Sequence, residues 1–372
     1  MSTLGHSVNS KQLRNILEHV FSRNNSLQAA GQRATPVLIW GTHGLGKTQT
    51  VMDFAREKNW KIAYCAPAQF EEMGDLHGLP TLMDPDKTIS GDEYTVYSPP
   101  EWVPKEAGPG ILLLDDINRA DDRMLRGVMQ LLQNFEMLSW KLPPQWQIVA
   151  TANPDNGEYS VTPMDDAMLT RMMHITLDFD PKIWAEWAQA SGLDPRGIDF
   201  ILTYPEAVTG KRTTPRSLAQ FFDQISHIDD LSAHLDLVTV LAKSTLDDNT
   251  VSAFMGFIQN DLAKLIDPSD ILNTNDFSSV QSAIESLAVG KKGEKRLDHI
   301  ATICTRLYLF LKQSHYKPDK NHRANLVSFL LLEAIPNDLK MSLYLDINKE
   351  CSTEVKEMLK DKQLAKFLLG TL

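Results

Sequence analysis

The sequence predicts an α/β fold, a three-layer α/β/α core on a parallel sheet followed by two helical regions, and three observations carry this. Short continuous apolar runs alternate with helix-patterned segments: PVLIW from Pro36, KIAYCA near 61–66, ILLLD near 111–115, IVATA near 148–152 and MHITLDF near 173–179. Their apolarity is continuous rather than alternating, which marks strands covered on both faces, and the helices between them imply right-handed crossovers. After about residue 180 such runs stop and helical periodicity takes over.

Taken in order, Leu13, Ile16, Leu17, Val20 and Phe21 share one face of a helix over 10–24 opened by Ser10. A glycine-rich loop separates the first apolar run from a helix near 47–58, and another helix is expected near 121–134. TLMDPDKTISGDEYTVYSPP, about 80–100, interrupts the rhythm. Its Ser90–Gly91 turn, between Thr88–Ile89 and EYTVY, predicts an inserted β-hairpin. The core is expected over 1–178. A first helical region spans 179–265, and a second spans 266–372, where Ile300, Ile303, Cys304, Leu307 and Leu311 form an apolar stripe.

With 372 residues and 42% hydrophobic content, the chain can bury a substantial core. A formal net charge of -11 argues against a general affinity for polyanions, so nucleic acid is disfavoured as a partner. Cys65, Cys304 and Cys351 are scattered, without metal-ligand spacing, and are expected to be reduced thiols of a cytoplasmic protein. The opening MSTLGHSVNSKQ lacks a basic segment followed by an apolar one, and no apolar run approaches membrane-spanning length; neither secretion nor membrane insertion is expected.

Gly41-Thr42-His43-Gly44-Leu45-Gly46-Lys47-Thr48 fits G-x-x-x-x-G-K-[ST] between an apolar strand and a helix. Glycines let successive backbone N–H groups turn inward on phosphate oxygens, and the helix N-terminus adds positive potential. Lys47 can reach the β- and γ-phosphates and the Thr48 hydroxyl can ligate Mg²⁺, with Gln49 following at the start of the helix. His43 is expected to be a spacer. The run Ile111–Leu114 ends in Asp115 and Asp116, at the sheet edge where open α/β folds bind ligands. Asp115 is the expected Mg²⁺ ligand and Asp116 the group that orients or deprotonates the attacking water. Together these predict a P-loop NTPase using ATP and Mg²⁺; no Asn-Lys-x-Asp guanine-reading segment occurs.

Further segments resemble the MoxR-like branch of AAA+ ATPases. Asp115-Asp116-Ile117-Asn118-Arg119-Ala120 is similar to D-E-I-N-R-A, and the inserted hairpin resembles the branch's helix-2 insert. Ala150-Thr151-Ala152-Asn153-Pro154 resembles the end of the sensor-1 strand, which implies that Asn153 bonds the γ-phosphate or the attacking water. Residues 163–172 resemble P-L-x-E-A-x-L-D-R-F and imply Arg171 as arginine finger; Thr214-Pro215-Arg216-Ser217 resembles the opening of a lid helix with Arg216 as sensor 2. A finger acting on a neighbour's site requires a homo-oligomer, by resemblance a hexameric ring. Arg119, Arg123 and Arg126, expected on one helix face, are rival interface residues or simply a solvated face. The branch carries Glu where Asp116 stands, a shortening that predicts slow hydrolysis.

The resemblance covers about residues 10–225 and implies chaperone-like remodeling of a protein partner, often one with a von Willebrand A domain. A nucleic-acid motor and an ATP-gated assembly switch are the alternatives. Glu72–Pro80 resembles a G-D-L-x-G-L-P loop, or is a tight loop capped by Asp75. Tyr97, Trp102, Trp140 and Trp146 either fill the core or grip a partner, and the basic run 290–296 is expected to be an interhelical turn.

Overall fold

The computed structural model describes residues 5–83, 94–155, 160–209, 212–259, 265–289, 296–313 and 316–371. The chain divides into two compact units, residues 1–180 and 181–372.

In the first unit the strands are β1 (His6–Val8), β2 (Val37–Trp40), β3 (Lys61–Cys65), β4 (Leu79–Met83), β5 (Tyr94–Ser98), β6 (Gly110–Leu114), β7 (Glu136–Met137), β8 (Trp140–Lys141), β9 (Trp146–Ala152) and β10 (Met173–Leu177). Its helices are α1 (Ser10–Ala29), α2 (Lys47–Glu57), α3 (Met73–His77), α4 (Asp122–Asn134) and α5 (Asp166–Leu169). A wholly parallel sheet has the order β1-β10-β2-β9-β6-β3. Strands β2, β6 and β9 are buried along their whole length, which is why their sequences are continuously apolar. Successive residues nonetheless feed different cores. Val37, Ile39, Ile111, Leu113 and Val149 pack with Leu13, Leu17 and Phe21 of α1 and Val51 and Phe54 of α2. Leu38, Leu112, Leu114, Ile148 and Ala150 pack with Met124, Leu125, Val128 and Leu131 of α4 on the other face.

Several local expectations are corrected. The cap of α1 is Asn9 rather than Ser10: its side chain accepts the Gln12 N–H while Gln12 accepts the Asn9 N–H, each at 3.0 Å. The helix runs on to Ala29, through the polar SRNNS segment, because Asn24 is buried and donates to Thr35 O and Gln147 Oε1 at 2.9 Å. Strands β4 and β5 pair antiparallel, Leu79–Met83 against Tyr94–Ser98, within the expected insert, and the Thr88–Ile89 stretch lies outside the described residues. The Ser90–Gly91 turn lies outside the described residues. Arg119 does not share a helix face with Arg123 and Arg126: it ends a 3-10 turn (Ile117–Arg119), Ala120 is extended, and Asp121 caps α4 by accepting the Met124 N–H.

The second unit is helical: α6 (Pro181–Ala190), α7 (Pro195–Thr203), α8 (Pro215–Ile225), α9 (Leu235–Thr245), α10 (Asp248–Gln259), α11 (Pro268–Asn273), α12 (Phe277–Leu287), α13 (Leu297–Leu311), α14 (Lys320–Leu331), α15 (Asn337–Glu350), α16 (Thr353–Met358) and α17 (Lys362–Thr371). Phe254 sits in its core with ring centroids 5.2 Å from Phe200, 5.1 Å from Phe221 and 5.5 Å from Phe222. The boundary expected at 265 falls inside this unit, because α13 returns to α7, where Arg306 Nε lies 3.0 Å from Asp199 Oδ1. That approach is an ion pair without hydrogen-bond alignment, since Asp199 Oδ1 has no hydrogen-bond partner. All three cysteines are free and buried, and burial pushes the Cys65 and Cys304 thiols up to about 12. Among the described residues no helix is long and apolar enough to cross a membrane. The stretch 290–295, most of the basic run, lies outside the described residues.

Candidate nucleotide site

Sheet order assembles the site. Because β9 lies between β2 and β6, the carboxyl ends of three strands present the glycine loop, Asn153 and the acid pair side by side. The register sets Trp40 beside Ala152 and Leu114 beside Ala150, so the next residues, Asp115 and Thr151, fall opposite one another.

The loop after β2 turns on backbone conformations open to glycine. Gly46, the N-cap of α2, has φ 85, and Gly44 has φ 73. At Gly41, φ 157, a Cβ would meet Leu177 O at 3.0 Å and Leu45 Cδ1 at 3.2 Å, a tight approach to which the neighbours would have to yield by a few tenths of an ångström. Thr42 is exposed, His43 half-exposed, and Leu45 packs on the α1–α2 core. Gln49, also exposed, donates to Asp53 Oδ1 at 2.7 Å within α2.

Lys47 is buried at the first turn of α2. Its Nζ donates to Gly41 O at 2.7 Å, to Thr42 O at 3.2 Å and to Asn153 Oδ1 at 3.1 Å. Thr48 donates from Oγ1 to Asp115 Oδ1 at 2.5 Å, bringing the two expected metal ligands together. Thr151 donates to the same oxygen at 2.7 Å while accepting the Asp116 N–H at 2.8 Å, and thereby ties both carboxylates to β9. Tyr64 donates to the other oxygen, Asp115 Oδ2, at 3.0 Å. Burial first, then the negative charge of Asp115, pushes the Tyr64 phenol up to about 12, so it acts as donor.

Asp116 adopts a left-handed backbone, φ 48, which an aspartate tolerates better than a branched residue. Its Oδ1 accepts from Asn153 Nδ2 at 3.0 Å and its Oδ2 lies 3.2 Å from Arg119 Nε. Asn153 thus links Lys47 to Asp116, its amide oxygen accepting from Lys47 Nζ and its amide nitrogen donating to Asp116 Oδ1. Its backbone is held reciprocally by buried Asn118, which donates to Asn153 O at 2.8 Å and accepts its N–H at 3.1 Å.

Of the predicted arginines, Arg171 makes contacts within the first unit. Arg171 Nε donates to Gln133 Oε1 of α4 at 2.9 Å, and its Nη1 bonds the Ala167 carbonyl. Arg216 is an exposed residue in the first turn of α8, in the second unit, behind a capping box in which Thr214 accepts the Ser217 N–H at 3.2 Å. Asp75 caps its loop as expected, accepting the N–H groups of Glu71 and Glu72. Trp140 and Trp146 are buried and donate to His77 O and Glu106 O; Trp102 donates to Asp75 O.

Sequence reasoning missed Thr151, Asn118 and Tyr64 as supports of the site. Thr151 and Asn118 stood inside quoted motifs, whereas Tyr64 becomes visible only through the pairing of β3 with β6.

A glycine turn, a lysine and a threonine at a helix N-terminus, and an acid pair on a nearby parallel strand define a P-loop NTPase core. Residues 36–172 match the family model of the AAA domain, dynein-related subfamily, so an AAA+ ATPase domain occupies that stretch. Among solved structures, the Thermotoga maritima RuvB Holliday junction branch migration motor matches at 18% identity over 70% of this chain and 74% of that chain, with a TM-score of 0.37. A RuvB variant from the same organism matches at 14% identity over 96% and 94% of the two chains, with a TM-score of 0.38. Such scores give the likeness no weight for what this chain binds or does. No curated protein matches.

Proposed function

We propose that this chain is a Mg²⁺-dependent, MoxR-like ATPase subunit that works in a ring of its own copies, by resemblance hexameric, and remodels or activates a protein partner. The supporting observation is the contact chain that joins Thr48 to Asp115 and runs from Lys47 through Asn153 to Asp116. The glycine turn with its left-handed Gly44 and Gly46 and the buried Lys47 at the head of α2 fit a triphosphate, and the paired oxygens of Thr48 and Asp115 fit a hard, oxygen-seeking cation. Mg²⁺ held there would neutralise charge on the phosphates. Lys47 and the N–H groups of α2's first turn bind and orient the triphosphate. Asp116 accepts a proton from, or orients, the attacking water, and Asn153 fixes Asp116 against Lys47. Arg171 as the finger reaching a neighbour's site and Arg216 as sensor 2 are assigned by resemblance. A von Willebrand A domain protein is the proposed class of partner, and the acidic net charge of -11 favours a protein over nucleic acid.

The test is Mg²⁺-dependent phosphate release by the full chain and by Lys47→Ala. We expect a loss of at least about a hundredfold, the scale of removing a preorganised transition-state contact. Wild-type turnover in Lys47→Ala would overturn the site. Stimulation by DNA in place of a co-purifying protein would overturn the partner class.

A further inference from the structure

Tyr64 lies on the edge strand β3, beside Leu113 of β6, and the next residue, Cys65, accepts the Asp115 N–H at 2.8 Å. Ala63 and Cys65 supply the core-facing side of the strand, while Tyr64 is 43% exposed and Ile62, on the same side, 40%. Core filling therefore does not explain an aromatic ring at this position. What the ring does reach is Asp115: its hydroxyl donates to Oδ2 at 3.0 Å, while Thr48 and Thr151 donate to Oδ1 at 2.5 and 2.7 Å. A carboxylate held by one oxygen still turns about its Cβ–Cγ bond. Held by both, from β3, α2 and β9, it has one plane.

We infer that Tyr64 is a positioning residue for the metal-binding carboxylate, fixing Asp115 in the orientation from which it receives Mg²⁺ with a nucleoside triphosphate. This rests on the reading of Asp115 as a metal ligand given above. Groups that orient a ligand in this way typically contribute about 10–100-fold to metal affinity. The lower end applies here, since the phenol is partly exposed and water can replace it.

The experiment titrates Mg²⁺ against the full chain with a fluorescent ATP analogue, for wild type, Tyr64→Phe and Asp115→Asn, and repeats the binding in excess EDTA. Tyr64→Phe removes one oxygen and keeps the ring. The expected result is a shift of the Mg²⁺ midpoint to about tenfold higher concentration, with binding in EDTA unchanged. An unshifted midpoint in Tyr64→Phe, with a shifted one in Asp115→Asn, overturns this inference alone. A loss of equal size in EDTA also overturns it, because the effect would then be on the fold or the nucleotide. If Asp115→Asn leaves the midpoint in place, the metal site itself is wrong.

Discussion

In the first unit four buried polar side chains, Lys47, Asn118, Thr151 and Asn153, stand at one edge of the sheet within hydrogen-bond reach of one another or of the acid pair, while Asn24 and Gln147 pair with each other apart from them. In the second they are dispersed. Asn325 donates to the carbonyls of Leu272 and Thr274, Thr213 bonds Thr250, and Arg306 spans Asp199 and Asp267. Each of these braces one helix or loop against another, and none converges with the rest. Burying a polar group is costly unless it is paired, and most of these groups find a partner, Asp199 Oδ1 meeting Arg306 only as an ion pair, but convergence alone yields a place where several groups act on one ligand. Buried polarity alone does not mark a functional site; its concentration at the ends of adjacent strands does.

The sharpest attempt to break this contrast strikes the second unit. Phe254→Ala empties the centre of the aromatic cluster and is expected to cost about 3–5 kcal/mol, measured by chemical denaturation. If the two units carry separate tasks, affinity for nucleotide changes by less than about threefold; a fall in step with stability would defeat the comparison. Next in size is Asp116→Glu. Lengthening the carboxylate by one methylene closes a displacement that can cost about a hundredfold, so turnover is expected to rise by up to that factor. If phosphate release stays level or drops, Asp116 is not the group that activates water. The smallest effect concerns acidity. Burial pushes the Asp199 carboxyl up to about 7 against the pull of the Arg306 guanidinium. Its folded-state value then lies above the unfolded one, so the folded state binds the proton more tightly and stability falls as pH rises from about 4 toward 7. The slope is at most about 1.4 kcal/mol per pH unit. Denaturation of Asp199→Asn across that window is expected to lack this slope, and an identical slope in both proteins would show that Asp199 keeps its charge beside Arg306.

Much of the nucleotide corner was legible because its chemistry is local. Gly41 to Thr48 occupy one turn, and Asp115 and Asp116 follow a strand whose apolarity is unbroken. Asn153 was legible through resemblance. The supports were not, since Tyr64, Thr151 and Asn118 act through pairings between strands distant in the chain, and no local pattern encodes which strands become neighbours. The same limit hid β1, three residues with one buried side chain, which exists because β10 offers an edge. The helix expected over 10–24 extends to Ala29, past the last residue of its apolar stripe, with polar Asn24 satisfied inside the fold.

The insertion of β9 between β2 and β6 has a consequence for the nascent polypeptide. Val37 finds its partner in Val149, so when the glycine turn leaves the ribosome its neighbour is still untranslated. Until then the apolar edges of β2 and β6 stay open, the kind of exposed strand that chaperones shield. A chain arrested before residue 146 would hold both the lysine and the acid pair yet lack the strand between them, and would be prone to aggregate rather than to bind nucleotide.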